Sequence, residues 1–203
     1  MFGTKERPGA NENDEFIPVT AHGVKLLSMG LLINESDPVA VRGPLATRYV
    51  QQFLRNVAWG DVDFLILDLP PGTGDIQLTI VQTAELDGVV VVTTPQEVAL
   101  IDALKAIGLF ERVETPILGI IENMSYFQCP SDGKIYHIFG EGGGEREAAR
   151  LGVPLLGKIP LDISTRSGGD EGRPVALEEP GQNPVSAAFR QVAEQCARVV
   201  LDR

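Results

Sequence analysis

An acid closing an apolar run, a proline- and glycine-rich string beyond it, and two widely separated thiols are the features of this 203-residue chain that bear on chemistry. The run is Phe64-Leu-Ile-Leu67, followed by Asp68-Leu-Pro-Pro-Gly-Thr-Gly-Asp75. Four apolar residues ending in a carboxylate fit a strand that delivers an oxygen ligand to a Mg²⁺–phosphate site, since a hard cation takes oxygen donors. Glycines beyond it let backbone N–H groups approach phosphate oxygens. The same string also fits a strand that ends in a Pro/Gly turn, with Asp68 capping the next element. Cys129 and Cys196 form no C-x-x-C pair, so no zinc or redox motif is intact. Cys196 falls on an apolar helical face and reads as a small packed hydrophobe. His22 and His137 read as structural, no Ser-His-Asp order is legible, and Gly140-Glu-Gly-Gly-Gly144 reads as a turn and helix entry.

These residues need elements to place them. Residues 1–22 are polar and read as a loop, and Val24–Met29 as a strand. Apolar residues recurring from Leu45 to Val57 predict a helix over Arg42–Val57. Phe64–Leu67, Val89–Val92, Ile117–Ile121 and Leu155–Ile159 are continuous apolar runs, the pattern of strands covered on both faces. Helices are predicted over Ile76–Leu86, over Glu97–Arg112 with Ile101, Leu104 and Gly108 on one face, over Gly144–Leu151, and from Val185 to Val199. Residues 160–183 read as loop. Strands alternating with helices indicate an α/β protein with a mainly parallel sheet, in which function sits in the loops beyond the carboxyl ends of the strands.

The string Asp68–Asp75 resembles the signature of the Mrp (ApbC-like) iron–sulfur cluster carrier ATPases, P-loop NTPases related to MinD and ParA. Colinear segments extend the resemblance over nearly the whole chain: Ala21-His-Gly-Val-Lys25, Arg42-Gly-Pro44, Thr94-Pro-Gln96, Glu122-Asn-Met-Ser125, Ile138-Phe-Gly140 and Gly157–Asp162. The resemblance implies that Asp68 helps hold Mg²⁺, that the loop with Gly72 and Asp75 senses the terminal phosphate, and that Pro160 to Asp162 line the base and ribose of ATP. It also implies that Asn123 reads the adenine edge, and an Asn side chain offers the donor and acceptor this needs. In the family, C-x-x-C pairs from two subunits hold a bridging iron–sulfur cluster. Here the loop reads Cys129-Pro-Ser-Asp132, so either one thiolate and, at best, the Asp132 oxygen remain, with His137 further on, or Cys129 is a leftover loop thiol that holds no metal. The implied partners are a second copy or an intact relative in a dimer, and apo iron–sulfur proteins that receive the cluster.

Two features set expectations apart from the family pattern. The only Gly-Lys pairs, Gly133-Lys134 and Gly157-Lys158, are each followed by isoleucine, so G-x-x-x-x-G-K-[ST] is absent. The chain is therefore expected to be one N-terminally shortened nucleotide-binding domain over 1–203, missing the P-loop strand and without autonomous ATPase activity. Phe64–Leu67 and Val89–Val92 would flank that strand, and one of three outcomes is expected: the two pair directly, another chain fills the gap, or the protein is only marginally soluble. One rival reading is a truncated, non-enzymatic dimerisation partner. A second is a ParA/MinD-type positioning ATPase, against which the mixed charges of the last helix (Arg190, Glu194, Arg198, Asp202) stand, since they make no basic membrane anchor. The net charge of −11 argues against non-specific nucleic-acid binding and against an anionic membrane surface. No apolar stretch approaches the ~20 residues that span a bilayer. The expected location is the cytoplasm.

Overall fold

A computed structural model of the chain describes residues 1–32, 43–70 and 74–202. They fall into two compact units, Phe2–Glu85 and Leu86–Arg203, the latter joined by Met1.

In Phe2–Glu85, two short antiparallel pairs come first: β1 (Gly9–Ala10) with β2 (Phe16–Ile17), and β3 (Val19–Ala21) with β4 (Val24–Leu26). The expected loop over 1–22 thus carries strands: His22 and Gly23, both at positive φ, turn the chain between β3 and β4, and the strand expected to reach Met29 stops at Leu26, opposite Val19 where its partner β3 begins. Helix α1 (Met29–Leu32), α2 (Gly43–Arg55) and α3 (Asp75–Thr83) come next, and α2 packs on α3. The Phe16 amide donates to the Asn56 carbonyl at 2.9 Å, the Ala58 amide returns to the Phe16 carbonyl, and the Phe16 ring meets Phe53 edge-on at 6.5 Å. One aromatic residue therefore fixes where α2 ends.

Phe64–Leu67 is not a strand. The segment joins no ladder among the described residues, and Ile66 is 87% exposed. An apolar run becomes a strand only when neighbours accept its backbone hydrogen bonds, and none is supplied here. The expectation of a doubly covered strand is not met.

Leu86–Arg203 is built on a parallel sheet in the order β5 (Val89–Thr93), β6 (Ile117–Glu122), β9 (Leu155–Lys158). Between β5 and β6 runs α4 (Glu97–Arg112). Between β6 and β9 run a small antiparallel hairpin, β7 (Phe127–Gln128) and β8 (Ile135–Tyr136), and then α5 (Gly143–Leu151). After β9 come α6 (Ile163–Glu171), a 3₁₀ turn at Val175–Leu177, and α7 (Pro184–Leu201). The core joins Val91, Ile107, Ile120 and Ala148, with Leu104, Leu151 and Leu155 around them. Leu100, Ile107 and Phe110 form the buried face of α4, and Ile101 is exposed. The expected face, through Ile101 and Gly108, is thus one residue out of phase, about 100° of helix rotation.

Among the described residues β5 ladders with β6 alone, and its side chains alternate between faces, Val91 and Thr93 buried and Val92 58% exposed. The predicted doubly covered strand is thus open on one face at Val92. Residues 160–183 also differ from expectation, because α6 lies within them. The Asp162 carboxylate caps its start by accepting from the Thr165 amide at 3.1 Å, and Gly172, at φ 74°, closes its end. Gly168 and Gly169 hid this helix from a periodicity reading, since glycine is a poor helix former.

Candidate functional site: the carboxyl edge of the parallel sheet

The carboxyl ends of β5, β6 and β9 open onto Thr94–Gln96, Asn123–Tyr126 and Ile159–Asp162. Backbone bonds stitch these loops together. The Asn123 amide donates to the Thr93 carbonyl at 2.7 Å, and the Ile159 amide to the Glu122 carbonyl at 2.9 Å. Past the strand ends the ladder continues: Ser125 donates to the Ile159 carbonyl at 3.0 Å, and Leu161 to the Tyr126 carbonyl at 2.7 Å. Phe127 and Leu161 then make an isolated parallel bridge. Asn123, Pro160 and Asp162 are brought to one edge by this stitching.

Each of them has a local duty as well. The Asn123 Oδ1 accepts from the Met124 amide at 2.9 Å, and Met124 sits at φ 52°. A left-handed backbone is uncommon for a residue with a Cβ, and the Asn123 side chain supports it. That leaves Nδ2 as the donor and Oδ1 as an acceptor already engaged once. Pro160 is buried. Asp162 spends one carboxylate oxygen on the α6 cap, accepting both the Thr165 amide and the Ser164 hydroxyl.

Six residues beyond Asn123 the same connection turns back at the tip of the β7–β8 hairpin. The Cys129 amide donates to the Lys134 carbonyl at 2.9 Å and its carbonyl accepts from Gly133 at 2.8 Å. The Cys129 Sγ lies 3.0 Å from the Ser131 Oγ. Hydrogen bonding from the Ser131 hydroxyl, then from the Ser131 and Asp132 amides, holds the thiol below its ordinary pKa, against small opposing effects of desolvation and of the Asp132 carboxyl. Asp132 itself accepts from the Lys134 amide at 3.0 Å, which lowers its pKa, and the Tyr136 hydroxyl stands 3.3 Å away. Cys129 and Asp132 therefore share one turn. His137 pairs instead with Glu141, at 3.6 Å. No group of three His, Cys, Asp or Glu side chains converges on one point among the described residues. A four-ligand metal site is not contained in the described part of a single chain.

The acidic switch is less complete. Asp68 is exposed on the irregular stretch before α3, in the unit Phe2–Glu85. Gly72 lies outside the described residues, as does the side chain of Asp75, whose backbone opens α3. Pro70 is held through its carbonyl by the Gln77 Nε2 at 2.7 Å.

Sequence reasoning missed two side-chain groupings. Glu122 is fully buried at the last position of β6, accepting from the Ser125 hydroxyl and, at 2.7 Å, from the Gly144 amide. Lys158, at the end of β9, pairs with Glu145 of α5 at 2.8 Å. The hydrogen bond between them raises the lysine pKa and lowers that of the carboxyl. The available signal for Glu122 was an acid ending an apolar strand, the same pattern that had drawn attention to Asp68. Cys196 is half-buried on α7, where desolvation raises its pKa, consistent with a packing role.

Three relatives frame this arrangement. The Arabidopsis thaliana iron-sulfur protein required for NADH dehydrogenase, mitochondrial, is 44% identical over 198 residues, 98% of this chain and 63% of its own length. The iron-sulfur cluster carrier protein of Aquifex aeolicus is 44% identical over 202 residues, 98% of this chain and 55% of its own. Among solved structures, the nucleotide-binding protein from Archaeoglobus fulgidus, in complex with ADP, is similar with a TM-score of 0.69 and 36% identity, over 82% of this chain and 65% of that one. This chain thus spans little more than half to two thirds of those proteins. Residues 1–197 match the ParA-type family described as NUBPL iron-transfer P-loop NTPase, and the chain belongs to that family.

Proposed function

We propose that this chain is the cluster-handling and base-binding part of an iron–sulfur cluster carrier, acting as one nucleotide-binding domain over 1–203. The observation that carries the reading is the stitched carboxyl edge. Asn123 and Asp162, at the base end, are laddered through Leu161–Tyr126 to the hairpin that presents Cys129. The names of the relatives support the cargo, and the ADP complex of the Archaeoglobus protein supports the nucleotide.

ATP fits this chain at its base end only. The polar groups offered there are the Asn123 side-chain amide and the backbone of Pro160–Asp162, of which the Leu161 N–H is already given to the Tyr126 carbonyl and Pro160 has none to give; the chain has no Gly-Lys-Ser/Thr signature to hold the phosphates. Bound with Mg²⁺, the nucleotide supplies phosphoanhydride chemistry, for which Asp68, Gly72 and Asp75 are the residues we assign to the metal and switch. The chain's own residues orient the base and hold the hairpin in place. The cluster is cargo: thiolates are its ordinary ligands, and one Cys129 from each of two subunits supplies half of a four-thiolate set. A dimer, of two copies or with a longer relative, therefore belongs to the proposal, as do apo-protein recipients. Among the described residues no helix is long and apolar enough to cross a membrane. We place the carrier in the cytoplasm, where glutathione and thioredoxin keep thiols reduced.

Anaerobic reconstitution tests the reading. Wild type is expected to take up substoichiometric, labile iron and sulfide, Asp132→Cys to take up more of both, and Cys129→Ala to take up none. A full, stable cluster that survives Cys129→Ala overturns the assignment. In calorimetry the chain alone is expected to bind Mg–ATP weakly and to release negligible phosphate, because backbone N–H donors and a P-loop lysine normally hold the phosphates. If it binds no nucleotide and no iron, the reading that remains is a non-enzymatic partner of a longer relative.

A further inference from the structure

Glu122 is the most thoroughly buried acid of the described residues, and nothing in the carrier chemistry above uses it. Its two oxygens are divided between two places. One accepts the hydroxyl of Ser125, in the loop just beyond β6. The other accepts the backbone N–H of Gly144, in the first turn of α5, at 2.7 Å. The intervening connection, 123–143, leaves the sheet at Asn123, runs out through the Cys129 hairpin and returns at α5. Glu122 therefore sits at its root and bonds both the outgoing and the returning chain.

The surroundings are built for that carboxylate. A Cβ added at Gly144 would stand 3.1 Å from the Glu122 Cβ and 3.2 Å from its Oε2, so glycine is what permits the approach. Gly143 is pinned in the same way, since a Cβ there would lie 2.5 Å from the Pro95 carbonyl oxygen in the loop after β5. The first turn of a helix has unpaired N–H groups and a positive dipole end, both suited to a carboxylate. A buried acceptor left without its donor is costly, so the two bonds are strongly favoured as a pair.

We infer that Glu122 is a positioning residue: its carboxylate closes the neck of the 123–143 excursion, so that Asn123, the root of the cysteine hairpin and the start of α5 move as one body with the sheet. The importance of this for carrier action rests on the roles proposed above for Asn123 and Cys129, whereas the closure itself does not.

Residue-resolved hydrogen exchange on the full chain tests it. In Glu122→Ala, the amides of Gly144, Ser125 and Asn123 are expected to exchange at least tenfold faster, while Val89 and Ile120, held by carbonyls at the opposite end of the sheet, keep their wild-type rates. Glu122→Gln is expected to restore slow exchange to within about threefold. Its amide oxygen still accepts from Gly144 and its NH₂ donates to the Ser125 hydroxyl, whose direction can reverse. Gly144→Ala, which presses on the carboxylate without removing it, is expected to give the same local loss, and it serves if Glu122→Ala does not fold. The inference is overturned if Gly144 and Asn123 stay protected in these variants, if every amide of the sheet speeds up together, or if Gln fails to rescue. Adding Mg–ADP to wild type is a separate arm. New protection at Asn123 and Leu161 is expected, and its absence sinks the nucleotide reading while the variant results still decide the closure.

Discussion

Cys129 shows how much a single neighbour decides. Its thiol is lowered mainly by the hydroxyl of Ser131, the residue just before the position that a second thiol would take in a C-x-x-C loop. Thiolate, not thiol, is the nucleophile, so the pH at which Cys129 becomes reactive reports this environment. Removing the hydroxyl with Ser131→Ala is expected to move the iodoacetamide rate profile of Cys129 to higher pH. Asp132→Asn, which removes the opposing carboxyl, is expected to move it slightly lower. A profile that ignores Ser131→Ala rules out the serine as the cause. Cys129, Asp132, Asn123 and Asp162 were all legible in the sequence as chemistry-bearing types in family-like segments. What each of them does locally was not, because Oδ1 on Met124 and the carboxylate on Thr165 are consequences of backbone geometry that no spacing reveals.

Elements were legible where periodicity and punctuation agreed. α4 matches its predicted bounds, Glu97–Arg112, and β6 and β9 lie where apolar runs stand between turn residues. Phe64–Leu67 failed although its composition is that of a strand, because strand formation is settled by partners remote in sequence. α6 failed in the opposite sense, hidden by its glycines although Asp162 and Gly172 mark both its ends. Asp162→Ala is expected to lower stability by about 1 kcal/mol through loss of the cap, read by urea denaturation, with Asp162→Asn recovering most of it. An unchanged midpoint in Asp162→Ala would show that the cap contributes nothing. Packing between elements gives a harsher case at Gly157 of β9. A Cβ there would lie 2.5 Å from the Val192 Cγ2 on α7. Gly157→Ala is expected to cost about 1–3 kcal/mol, the usual scale of overpacking, and Gly157→Ala with Val192→Ala less than the sum of the two single changes.

At the scale of the whole molecule, exposed apolar residues bear on association in solution. Among the described residues, Phe64, Leu65 and Ile66 form an uninterrupted exposed run, and β5 has a ladder partner on one side only and carries no proline or charge. Exposed apolar backbone of this kind templates pairing with other chains, and the net charge of −11 opposes it only through long-range repulsion that salt screens. Leu65→Ser with Ile66→Lys is expected to raise the soluble fraction severalfold at physiological ionic strength, checked by light scattering. Its thermal midpoint is expected to stay within a few degrees of wild type, since neither side chain is buried. If solubility does not rise, the association surface lies elsewhere.

The hairpin that carries Cys129 leaves the sheet and returns to it within a crossover that two parallel strands require in any case. Its tip touches solvent and its own turn, and its root is tied to the sheet. The tip is therefore a socket whose contents can be exchanged without renegotiating the scaffold. Doubling the length of such a turn costs only about 0.6 kcal/mol in closure entropy. Inheritance can thus act on the two separately: the stitched sheet edge persists while thiol, carboxylate or hydroxyl groups are traded at positions 129–132, and a carrier can change what it grips while the scaffold beneath stays the same.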